Sequence, residues 1–87
     1  MRREVMKKYS KVEVIWTDST SGKIEWEYLS DLDKLPTSKC RTIGYVLEDN
    51  KKYITLGFSM GGKQVCGRMT IPRHAIITVR KLRNEIT

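Results

Sequence analysis

The chain has 87 residues, 17 of them Lys or Arg and 10 Asp or Glu, for a net charge of +7. A domain of this size buries roughly 60–70% of the surface its unfolded chain exposes, which excludes a large enclosed core. No run approaches the roughly 20 apolar residues of a membrane span, and the N-terminus lacks the apolar stretch of about 7–15 residues that a secretory leader needs.

One domain over residues 1–87 is therefore expected, cytoplasmic and without a membrane partner. Two cysteines make no disulfide framework, so Cys40 and Cys66 are expected to be reduced. The charge is unevenly spread. Residues 1–11 carry five basic side chains against Glu4, residues 12–62 six basic against eight acidic, and residues 63–87 six basic against Glu85. Basic ends around a mildly acidic middle favour a polyanionic or phosphate-bearing partner.

In chain order, residues 1–10 form a basic N-terminal arm. Its single periodic pair is Val5 and Tyr9, at helical spacing, so it reads as a solvated tail or, in the alternative, a short helix. A first strand over 12–16 puts Val12, Val14 and Trp16 on one face and Glu13 and Ile15 on the other. Residues 17–22, six small or polar side chains, are a loop.

Two periods then compete. Ile24, Trp26 and Tyr28 alternate as in a strand, whereas Trp26, Leu29, Leu32 and Leu35 recur near helical spacing. An extended piece around 24–26 is expected to lead into a helix within 27–35, spanning about 28–34 and stopped by Pro36. That helix would lay its leucines on the sheet and turn Glu25, Glu27, Asp31 and Asp33 to solvent.

From residue 40 the pattern is β. A strand over 42–48 alternates Ile43, Tyr45 and Leu47 with Thr42, Gly44 and Val46. The turn chemistry of Asp49-Asn50 follows, because Asp and Asn bond to their own backbone and tolerate positive φ. A strand over 52–59 sets Ile54, Leu56 and Phe58 against Tyr53, Thr55 and Gly57, and Gly61-Gly62 permits a reversal into a strand over 64–71. Pro72 has no N–H for a ladder, so Pro72-Arg73-His74 reads as a tight corner before a last strand over 75–82. The fold class is mainly β: a bent antiparallel sheet or barrel of five strands with one short helix. Small sheets leave edges that pair between subunits, so a homo-oligomer is expected.

Catalysis finds little purchase. His74 is the one histidine and stands beside no nucleophile elbow. Cys40, Cys66 and His74 lack the paired spacing of a zinc site, and Gly61-Gly62-Lys63 opens a strand where a phosphate loop would open a helix. The expectation is no enzyme, no metal and no cofactor. What remains is a binding surface. Arg41, Lys63, Arg68, Arg73 and Arg80 lie on or beside the meander, with Trp16, Trp26, Tyr45 and Tyr53 as flat faces on which a base could stack. Arg73 and His74 stand out because Pro72 forces their corner outward, and Arg can fork onto a phosphate.

The hairpin IGYVLEDNKKYITL followed by the strand, Pro corner and strand of MTIPRHAIITVRKL resembles the Sm-like fold, a bent five-stranded SH3-type barrel, and small phage-encoded proteins of that fold. The likeness covers about residues 40–82. It implies that the hairpin tip and the last corner converge on a nucleotide, which points to Asn50, Arg73 and His74. The stretch Leu47-Glu48-Asp49-Asn50 and the His at position 74 differ from the family's usual motifs. Three functions follow. The first is a phage-type protein, working in the host cytoplasm, that sequesters a nucleotide-like small molecule such as a host immune signalling nucleotide. The second is an Sm-like module for single-stranded RNA, and the third a barrel acting through protein contacts. For the first two, the residues expected to bind are Arg73, His74, Asn50, Arg41, Tyr45, Lys63 and Arg68.

Overall fold

The computed structural model describes residues 8–83. Five strands, β1 (Lys11–Asp18), β2 (Ser38–Asp49), β3 (Tyr53–Gly61), β4 (Gln64–Pro72) and β5 (Ile76–Lys81), form one antiparallel sheet of order β4-β3-β2-β1-β5. The sheet is open, with β4 and β5 as its edges. The strands fall where the alternation put them, and β1 and β2 run several residues further.

Connectivity forces the sheet to curl. Four interstrand spacings separate the edges of a flat five-stranded sheet by about 19 Å. The chain passes from one edge to the other through Arg73–Ala75 alone, and the four steps from Pro72 to Ile76 reach at most about 14 Å. The corner accordingly touches both β1 and β3.

Two glycines and a bulge permit the curl. A Cβ on Gly44 would stand 2.8 Å from the carbonyl oxygen of Gly57, and one on Gly57 would stand 2.7 Å from Cγ2 of Val65. Just beyond this close approach, the β2–β3 register shifts between Val46 and Glu48, and such a bulge bends its strand.

The concave side holds the core. Val12, Val14, Val46, Ile54, Leu56 and Ile71 are completely buried, with Trp16, Met69, Ile76 and Val79 packed around them. Trp16 closes one side and donates its indole N–H to Thr42 Oγ1 at 2.9 Å. A register shift at Ile15/Trp16 brings Ile76 opposite Trp16, so Ile76 joins the core's surround while Ile77 is left exposed.

The expected helix within 27–35 does not form. Leu29–Asp31 makes a single 3-10 turn between extended residues, ψ 133° at Tyr28 and 125° at Leu32, and no side chain caps it. Nor is there a strand at 24–26. Isolated helices this short are marginal without a surface to pack on, and the strands already fill the core. Leu29, Leu32 and Leu35 point to solvent instead of covering the sheet.

Of the N-terminal arm, Val5 lies outside the described residues. Tyr9 is not a free tail: its N–H donates to Val46 O at 2.7 Å, and Val46 N–H donates to Ser10 O at 2.9 Å. These bonds continue the β1–β2 ladder by two residues.

Candidate functional site

The corner and the hairpin tip do converge, as the resemblance implied, but they bond to each other. Asn50 Oδ1 accepts from the N–H groups of Lys52 at 2.9 Å and Tyr53 at 3.0 Å, which shapes the tip. Arg73 N–H donates to Lys52 O at 2.8 Å. The Arg73 guanidinium pairs with Asp49, whose side chain is 3% exposed, and also donates to Asn50 O at 3.2 Å. With its own side chain 22% exposed, Arg73 clamps the corner onto the tip. His74, next in the turn, is exposed.

Arg41 is held on the convex face. Glu13 of β1 lies between Arg41 of β2 and Arg80 of β5, pairing with the first and accepting from Arg80 Nε at 3.2 Å. Glu13 is shielded by guanidiniums that are themselves about two-thirds exposed, at 62% and 66%, so it is covered without being sunk in an apolar core. The hydrogen bond from Arg41, reinforced by Arg80, holds the Glu13 carboxyl below its ordinary 4.5.

A depressed carboxyl stabilises the fold fully above its unfolded value, and that contribution is lost as pH falls through the folded one. The stability gap between the parent and Glu13→Gln should therefore be constant above pH 4.5 and close below it. Urea melts across that range check this; a gap unchanged at pH 3 refutes it.

Tyr45 and Lys63 come together. They line a cleft of about 450 Å³ with Tyr9, Leu47, Met60 and Gln64. Tyr45 reaches it from the convex face of β2, Met60 from the end of β3, Lys63 from the β3–β4 turn and Gln64 from the start of β4. That turn closes on Gly62 at φ 57°, a conformation glycine adopts without strain.

Tyr9 completes the wall. Its φ is 68°, in the left-handed region that bulky residues avoid, and its ladder bond to Val46 holds it there. Backbone strain of this kind collects at functional sites. Sequence reasoning missed Tyr9 and Gln64. Tyr9 carried no usable signal, because its place depends on a bond to a strand almost forty residues away.

Arg68 lies elsewhere, in a shallow polar groove of about 570 Å³ with Tyr53, Thr55 and Thr70. The two threonine hydroxyls hydrogen-bond across β3 and β4 at 2.8 Å. The seven expected residues thus fall into four places: Asn50, Arg73 and His74 at the corner, Arg41 on the convex face, Tyr45 and Lys63 in the cleft, and Arg68 in the groove.

Among the described residues no cluster of three or more His, Cys, Asp or Glu could hold a metal ion, and no helix is long and apolar enough to cross a membrane. Cys40 and Cys66 are free, on strands separated by β3. No protein-family model, curated protein or solved structure matches the chain.

Proposed function

We propose that this chain is a non-enzymatic binding protein that sequesters a nucleotide-derived ligand in the Tyr9–Tyr45–Lys63 cleft. One observation carries the reading: two phenols, Tyr9 and Tyr45, line one cleft together with the apolar Leu47, Met60 and Val65, the ammonium of Lys63 and the carboxamide of Gln64. That is the chemistry a nucleotide asks for. A base stacks on the rings, Lys63 meets a phosphate, and Gln64 donates to and accepts from a base edge. The volume lies within the range of small-molecule sites.

The curled five-strand sheet with its Pro corner agrees with an Sm-like barrel, and the free thiols suit a reducing compartment such as the cytoplasm. RNA is the second reading. What favours it is the open groove of Tyr53 and Arg68 on a strongly basic chain.

Calorimetry with cyclic di- and trinucleotides, ADP-ribose derivatives and oligouridine tests both. With a small ligand, Tyr45→Ala is expected to weaken binding by about 1–3 kcal/mol. Lys63→Ala, at an exposed position, should cost less and lose its effect in salt. A polymer neutralised at several phosphates loses affinity steeply between about 50 and 200 mM salt, whereas a ligand held in the cleft does not. Absence of heat from every member of the panel refutes both readings, and unchanged binding in the two cleft variants refutes the site.

A further inference from the structure

The least explained feature of the molecule is the connection between β1 and β2. Residues 19–37 expose Ile24, Trp26, Tyr28, Leu29, Leu32 and Leu35, with Ile24 and Trp26 as bare as in an extended chain. Soluble monomers seldom present so much uncovered apolar surface in one place, and where they do it marks a contact.

The segment has a shaped base. Thr20 Oγ1 donates to Pro36 O at 2.8 Å, and Leu35 lies against Gly22, so the two ends are tied and the apolar tip projects. The tip is also acidic. Lys23 and Lys34 stand against Glu25, Glu27, Asp31 and Asp33, net −2, on a chain of net +7, so the remainder carries +9.

A complementary surface exists on the same chain. The convex face of β2-β1-β5 carries Lys39, Arg41 and Arg80 around Ile15 and Ile43. Arg41 and Arg80 share one carboxylate, Glu13, which leaves positive charge over. Ile43 stands opposite Glu13, across β1 from Arg80, and is 39% exposed. Guanidiniums flanked by apolar side chains suit an indole bracketed by glutamates, since Arg stacks on Trp and forks onto a carboxylate.

We infer that residues 19–37 of one copy dock on the convex β2-β1-β5 face of a second copy, reciprocally, in a twofold dimer. Area permits it. Trp26 and Tyr28 from two copies would bury about 600–1,000 Å², and the four other apolar side chains of each tip bring the total toward the roughly 1,200 Å² at which stable interfaces begin.

The test is sedimentation of the full chain and of Trp26→Ser, an exposed position where folding is not at issue, each at low and high salt. The parent should sediment at tens of micromolar with twice the chain mass of 10.1 kDa. Trp26→Ser removes the contact twice in a reciprocal dimer and should raise the dissociation constant about 1,000-fold, about 30-fold for each contact, and salt should weaken the parent dimer. A photo-crosslinking side chain at position 28 should label residues 39–43 or 78–80 of the other copy. A parent that stays monomeric overturns the inference. So does an assembly indifferent to Trp26→Ser, which would be paired through the β4 and β5 edges, and so does labelling confined to other segments. The cleft borders this face at Tyr45, two residues beyond Ile43 on the same side of β2, so ligand calorimetry is repeated on Trp26→Ser, where binding that persists in the monomer separates the two proposals.

Discussion

Arg73→Ala should lower the stability of the fold by about 3 kcal/mol, the lower end of what breaking a buried ion pair costs. The lower end applies because the guanidinium keeps 22% of its exposure while Asp49 keeps 3%. The loss has two parts. Asp49 gives up the guanidinium that neutralises it in a place water barely reaches, and the corner gives up the side-chain bond that holds it to Asn50 O.

For a domain of this size total stability is on the order of 5–15 kcal/mol, and each kcal/mol lost lowers the melting temperature by about 4–8 °C. A drop of more than 10 °C follows, read by circular dichroism on heating and by the urea midpoint. Arg73→Lys should recover part of it, because an ammonium keeps the charge but not the planar geometry with which one guanidinium nitrogen meets both Asp49 and Asn50 O. The result bears on function as well. If Arg73→Ala melts like the parent but no longer binds nucleotide, Arg73 serves a ligand and its clamp is incidental.

Gly44→Ala should be the second large loss, about 2–3 kcal/mol, within the range for forcing an extra methyl into a packed site. The new Cβ would fall 2.8 Å from Gly57 O and 3.0 Å from Leu56 Cβ. A backbone oxygen and a Cβ cannot rotate away, so the sheet would have to open where it curls. Gly57→Ala makes a useful contrast. Its nearest obstacles are Val65 Cγ2 at 2.7 Å and Leu47 Cδ1 at 3.1 Å, methyl groups that a change of rotamer moves, so it should cost roughly 1 kcal/mol. Urea melts of the two variants give the ranking. Equal or reversed losses would mean that the close approach of β2 and β3 is not what sets the bend.

Much of this was legible in the sequence, and particular residues show why. Strand positions follow from a period of two that the backbone imposes wherever one face is buried, so Val12/Val14 and Ile54/Leu56 announced their strands before any contact was known. Pro72 and Asn50 likewise act within a few residues of themselves, through a missing N–H and a side chain that bonds its own turn.

Where a side chain acts across the sheet, local reading failed. The spacing of Leu29, Leu32 and Leu35 is helical, yet a helix needs a surface to pack on, and the strands had already consumed the core. Trp16 and Trp26 are indistinguishable by type; one is half-buried over the core and the other bare in solvent because strand pairing reaches the first and not the second. Arg73 looked like an available cation until the fold placed Asp49 beside it, and Tyr9 looked like tail until Val46 O accepted its N–H. The sequence alone determined the five strands, the turns and the surplus of positive charge, since these depend on backbone chemistry and composition. Which cations stay free to meet an anion, and which aromatics form a cleft, only the tertiary structure decided, because each depends on a partner brought from a distant strand.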